Sequence, residues 1–157
     1  MKLRILTTTA MIAMALSAPI AAQAQTPSWT TEQMAVWKIV SDSYVDEVAK
    51  NGKWPNAYVH DNVVSWSAQS PIPKGKASME KWARFNDSQS KTLHYEIHPV
   101  AIAGTGDTAV VHYTGMFVSQ RGTDKPETEV NGTIETLVRS GGQWKFLSLT
   151  GFDMKKK

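Results

Sequence analysis

The 157-residue chain contains no cysteine. That absence removes disulfides, thiolate metal ligands, thiol nucleophiles and dithiol redox motifs together. A domain without cross-links must be held by its own hydrophobic core, and a chain of this length can build one. A strong charge of either sign is missing too, since 17 basic and 14 acidic residues give a net +3. No basic stripe of the kind that binds nucleic acid is present, and the terminal Lys155-Lys156-Lys157 reads as a frayed end. Past residue 24, no apolar run is long enough to span a bilayer. Internal repeats and low-complexity stretches are also lacking from residue 25 onward.

What is there begins with MKLRILTTTAMIAMALSAPIAAQAQ. Lys2 and Arg4 supply a positive lead, Ile5 to Ile20 an apolar run, and Ala22-Gln23-Ala24 a small-x-small cleavage site. This pattern predicts a secretory signal over residues 1–24, with an uncleaved anchor as the alternative reading. The expected product is one exported domain, residues 25–157, located in the periplasm or secreted. Loss of Lys2 and Arg4 leaves 15 basic and 14 acidic residues, close to neutral.

Helix comes first and strand after. Thr30 and Thr31 before Glu32-Gln33 form a helix-start signature, and Met34 to Lys50 carries Trp37, Val40, Tyr44 and Val48 on one stripe. Asn51-Gly52 and Trp54-Pro55 stop that helix. Asn62 to Ser67 reads as a short strand, Ser70 to Gly75 as a connector and Lys76 to Ser88 as a second helix. Four β-rich runs follow, Thr92 to Ala103, Thr108 to Gln120, Thr128 to Arg139 and Trp144 to Phe152, separated by glycine-bearing turns. This order predicts an α+β fold with an antiparallel meander, not repeated βαβ units.

Several short motifs then line up in order: Tyr44…Asn51-Gly52, Asp61 to Trp66, Pro73-x-Gly75-Lys76, Gly106 to Val111 and Gly142 to Phe146. Together they resemble the nuclear transport factor 2-like superfamily, in its SnoaL-like and ketosteroid-isomerase-like branch, over about residues 31 to 153. The resemblance implies a cone-shaped, curved antiparallel sheet wrapped against the N-terminal helices and enclosing an apolar cavity. It also implies homodimerisation through the outer sheet face, and enzymes of this kind need no cofactor.

The resemblance places Tyr44 where its hydroxyl would donate to a substrate oxygen. A core tyrosine with a backbone or water partner is the other reading. The family's basic aspartate has no counterpart, because Ser65, Trp66 and Ser67 stand in its place. His112 is the expected replacement, with Val110, Thr114 and Met116 pointing into the cone if strand parity follows the family; a dimer or solvent face is the alternative. Glu135 or Ile134 matches the second oxyanion donor, and Glu135 equally fits an exposed glutamate paired across strands, the reading the pattern favours. Trp37, Val40, Trp66 and Tyr95 join Thr114 and Met116 as the expected cavity wall. His94, Glu96 and His98 form a line that superficially resembles a metal site but lacks a fourth ligand, so no metal is expected. The functional expectation is an exported, cofactor-independent acid–base enzyme of lyase, dehydratase or isomerase type. Its substrate would be a small hydrophobic, aromatic molecule; the alternatives are a periplasmic ligand-binding domain or a homodimeric interaction module without turnover.

Overall fold

A computed structural model describes residues 28–67 and 70–154. The expected signal at 1–24 and the terminal lysines lie outside the described residues. Helix α1 runs Thr31–Val48, strand β1 Val59–Ser67, helix α2 Lys76–Gln89, and strands β2 to β5 run Ser90–Thr105, Thr108–Arg121, Glu127–Ser140 and Gln143–Asp153. Among the described residues, no helix is long and apolar enough to cross a membrane.

Helix α1 starts with a full capping box. The Thr30 side chain accepts from the Gln33 amide at 3.2 Å, and Gln33 Oε1 accepts from the Thr30 amide at 2.8 Å. Its other end is fastened by charge as well as hydrogen bonds. Lys50 Nζ donates to the Asp87 and Ser90 carbonyls, both at 2.6 Å, which ties α1 to the end of α2. The Asp46 carboxyl accepts from Tyr58, Asn51 and Lys53, and the Tyr58 hydroxyl, then Asn51, hold it below the usual carboxylate range. These contacts fix the azimuth of α1 and so decide which of its side chains meet the sheet.

The five strands form one sheet in the order β1-β5-β4-β3-β2. Strands β2 to β5 are the expected antiparallel meander, and β1 adds to the far edge parallel to β5. The tight β4–β5 connection places Gly141 and Gly142 at φ 59° and 77°, the left-handed pair that a two-residue hairpin turn requires. Register shifts in β2, at Thr92/His94 and Pro99/Ala101, and in β4–β5, at Thr136/Leu137, bend the sheet around the helices.

The core lies on the concave face. Val36 and Val40 of α1 pack with Val59, Val63, Val111, Tyr113, Leu137 and Phe146 of the sheet. On β3, Val111, Tyr113 and Gly115 are buried on this face, so the even-numbered residues of the strand face the opposite, convex side. The sequence expectation for β3 was the reverse. Both parities of this strand are partly apolar, and the larger buried volume of Val111 and Tyr113 decides the outcome. Val40 is likewise a correction: it has no exposed surface and belongs to the core, not to a ligand-contacting wall.

Candidate functional site

Between α1 and the open end of the sheet is a cavity of about 340 Å³. Tyr44, Glu47, Trp54, Trp66, Phe117 and Glu135 are on its wall. A smaller space of about 220 Å³, reaching Lys74 and Trp82, shares Glu47 and Trp54 with it. The lining is mixed, with Ser65, Asn131 and Thr133 among the aromatic rings, so the cavity is less apolar than expected.

Its deep end is a hydrogen-bonded chain. Tyr44 and Tyr113 hydroxyls stand 2.8 Å apart, and the Tyr113 hydroxyl meets Glu135 Oε1 at 2.8 Å. Tyr113 comes from β3 and Glu135 from β4. Val111 pairs with Glu135 and Tyr113 with Thr133 in the β3–β4 ladder, which sets the two side chains diagonally on the inner face. Around the chain, Tyr44 lies against Tyr95 and Phe117, with ring centroids 6.0 and 5.5 Å away. Gly115 leaves room for this packing, because a Cβ there would strike the Phe117 ring.

Glu135 is the least conventional member. Only 4% of it is exposed, and among the described residues no cation pairs with it and its Oε2 has no hydrogen-bond partner. Burial pushes its carboxyl up to about 8, against the lowering effect of the Tyr113 hydrogen bond and with help from the charge of Glu47. Burial and the Glu135 charge also raise both tyrosine hydroxyls far above their ordinary value.

Glu47 is one helical turn beyond Tyr44, on the same side of α1. Its side chain is exposed to solvent and also forms part of the cavity wall, with many protein atoms around the carboxyl. Burial, then the negative charge of Asp87, pushes its carboxyl up to about 7. The arrangement therefore holds two carboxyls whose protons move near neutrality, one accessible and one at the base of a tyrosine chain.

This arrangement has a directional consequence. With Glu135 ionised, Tyr113 donates to it, Tyr44 donates to Tyr113, and Tyr44 offers a ligand only lone pairs. With Glu135 neutral, the chain can reverse, Glu135 donating to Tyr113 and Tyr113 to Tyr44. The Tyr44 O–H then points into the cavity as a donor. The protonation of a buried glutamate sets what the tyrosine presents.

The structure divides the residues expected from the sequence. It brings Tyr44, Glu135 and Tyr95 to the concave side. Trp66 is a correction: it pairs with Thr150, on the same outward parity as Ile134, and is half exposed at the cavity's mouth, where it donates to the Ser70 carbonyl at 3.0 Å. Glu135 is buried rather than exposed and cross-strand paired, and Ile134 takes the convex face. Trp37 packs edge-on to Tyr113 at 5.7 Å, behind the cavity rather than on its wall. His112, Thr114 and Met116 are on the convex face, away from Tyr44, and His112 Nδ1 is buried there without a partner. His94 and His98 are exposed on β2 and flank Glu96 at 3.1 and 3.6 Å. Among the described residues, no group of three or more acidic or histidine side chains is arranged to hold a metal.

The residues not anticipated are Glu47, Tyr113, Trp54 and Phe117. For Glu47 a signal existed, the three-residue spacing from Tyr44. For Tyr113 and Phe117 the parity of β3 had to be known first.

Comparison with known structures fits this geometry. A ketosteroid isomerase-like protein from Erwinia carotovora atroseptica superposes with a TM-score of 0.71 at 12% identity, covering 82% of this chain and 100% of that one. An NTF2-like protein from Cytophaga hutchinsonii gives 0.68 at 10%, with 80% and 100% covered. A scytalone dehydratase-like protein from Novosphingobium aromaticivorans gives 0.69 at 15%, with 79% and 85% covered. No family model and no curated protein sequence matches the chain. The chain has the nuclear transport factor 2-like fold, in the α+β form that its sequence resembles.

Proposed function

We propose that this protein is a cofactor-independent acid–base enzyme of lyase, dehydratase or isomerase type, acting on a small hydrophobic, aromatic molecule. The observation that supports it is the Tyr44–Tyr113–Glu135 chain ending at a cavity that also contains the titratable Glu47. In this reading the substrate's carbonyl oxygen meets the Tyr44 hydroxyl. Glu47 removes a proton from the adjacent carbon, and the enolate oxygen is stabilised by Tyr44, which neutral Glu135 keeps oriented as a donor. Proton return gives isomerisation, and loss of a β-substituent gives elimination. Glu47 takes the part that the sequence assigned to His112. Residues 1–24 support export to the periplasm, on sequence grounds alone.

The test is deuterium incorporation from D₂O into aryl and cyclic ketones that bind the protein, followed by NMR. Wild-type exchange above the buffer rate, lost in Tyr44→Phe and Glu47→Gln with binding retained, is the expected result. Binding without exchange for every ketone overturns it.

A second reading, a homodimeric interaction domain, is favoured by Ile134 and Phe152, which are exposed on the convex face beside Gly132. Ile134→Lys would then change the sedimentation behaviour and leave ketone exchange intact.

A further inference from the structure

The charges around the cavity are one-sided. Glu47, Glu129 and Glu135 are on its wall, and among the described residues no lysine, arginine or histidine joins them there. Cations belong to adjoining spaces: Lys74 to the smaller one, where its Nζ is 4.7 Å from the centre of the Trp82 ring, and Arg121 and Lys125 to one on the outer side of Glu129. Among the described residues, none of the three glutamates takes part in an ion pair, although Lys38, Lys53, Lys76 and Arg139 all do elsewhere.

The unmatched hydrogen-bonding atoms have the same bias. Glu135 Oε2 and Asn131 Oδ1, both on inward-facing residues of β4, are buried without a partner. Each oxygen has a free lone pair. Neutral Glu135 that donates through Oε1 into the tyrosine chain still leaves Oε2 as an acceptor. A ligand that brings donors to this wall can give these oxygens the partner that the protein does not supply. The remaining wall is aromatic, with Tyr44, Trp54 and Phe117 presenting the π surfaces that attract a cation.

We propose that the cavity selects a compact aromatic ligand bearing a protonated amine. Its N–H groups meet Asn131 and Glu135, Glu47 and Glu129 match its charge, and its ring lies among Tyr44, Trp54 and Phe117. An anionic ligand of the same shape faces three carboxyl groups and is rejected, whereas a neutral one supplies fewer donors and no charge. The inference rests on the cone being a ligand cavity and names the class of molecule for the site proposed above.

Three probes of one shape test it by calorimetry: 2-naphthylmethylamine, 2-naphthylmethanol and 2-naphthoate. The amine is expected to bind about tenfold or more tighter than the alcohol, the equivalent of about 1.4 kcal/mol, and naphthoate to show no binding. Glu47→Gln with Glu129→Gln should bring amine and alcohol within about threefold of each other. Should that double variant not fold, Glu129→Gln alone, at the exposed rim, must lower the amine preference. In the wild type, added salt must lower it too. An alcohol that binds as tightly as the amine, a tighter naphthoate, an amine that fails to bind, or a preference untouched by the glutamine variants overturns the proposal. Charge-indifferent binding accompanied by ketone exchange would refute this inference and leave the acid–base reading standing. Amine-selective binding without exchange would do the reverse.

Discussion

The hydroxyls of Tyr44 and Tyr113 are 2.8 Å apart although the residues are 69 positions apart in the chain. One comes from the first helix and the other from the third strand, and among the described residues the one carboxyl in hydrogen-bond contact with either is Glu135. Because neither hydroxyl has a cationic neighbour, the direction of the bond depends on the proton of Glu135.

Removing the outer hydroxyl tests the chain most directly. Tyr44→Phe keeps the ring packed against Tyr95 and Phe117 and should lower the ketone exchange rate by about 10²-fold, in the range for loss of one oxyanion donor. NMR exchange rates measured with the ketone saturating separate this from weakened binding.

Tyr113→Phe should act on the fold as well. It deprives buried Glu135 of its one donor, at a cost of about 1–3 kcal/mol. Urea unfolding should give a lower midpoint than for Tyr44→Phe, whose hydroxyl leaves no carboxyl stranded.

The exchange rate should follow a narrow bell with pH. Glu47 must be ionised to take a proton, so the rate rises as pH passes through about 7. Glu135 must be neutral to orient Tyr44, so the rate falls again through about 8. Since the two groups interact, the two limbs belong to the pair. Glu47→Gln should abolish the activity, and Glu135→Gln should remove the alkaline limb while retaining some rate.

Stability should move in the opposite direction from that of a protein held by salt-bridged carboxylates. Glu135 goes from an ordinary 4.5 to about 8 on folding, so the native state holds its proton more tightly. Its favourable contribution is complete at low pH and is lost as pH rises from the ordinary carboxylate range through about 8. Denaturation at about pH 5 and about pH 9 should differ by on the order of a few kcal/mol, and the difference should shrink in Glu135→Gln. Glu47 adds less, because solvent reaches it.

His112→Ala provides a control on strand parity. From the convex face it should leave exchange within about twofold of wild type, well short of the loss expected when a general base is removed. A fall of Tyr44→Phe size would place the imidazole in the mechanism after all.

Much of the architecture could be read from the residues, because turns and periodicity are local. Thr30 with Gln33, Asn51-Gly52 and Gly141-Gly142 mark element ends through their own backbone demands. Tyr44 could be singled out only through the family resemblance, whose pattern its spacing from Gly52 matches. The parity of β3 could not be read. Val110, His112, Thr114 and Met116 make as plausible an inner row as Val111, Tyr113, Gly115 and Phe117, and only packing against α1 chooses between them. Glu135 misled for a related reason: a glutamate in a strand is ordinarily solvated, and what buries this one is the side chain of Tyr113 from another strand. The parallel pairing of β1 with β5 was equally invisible, since no local signal links segments so far apart.

That last pairing governs when the site can exist. Strand β1 supplies Ser65 to the wall; among the described residues it has a single bridge to Lys74, and its one ladder partner is β5, with Val59 opposite Phe146 and Trp66 opposite Thr150. A chain emerging in order has made its first wall strand, held by the Ser65–Lys74 bridge and α2, long before its ladder partner β5 exists, so ligand meets a complete wall only in the finished molecule. Ligand therefore acts as a late clamp on the two ends of the fold, and binding should slow the detachment of β1 more than the fraying of the β2–β3 hairpin.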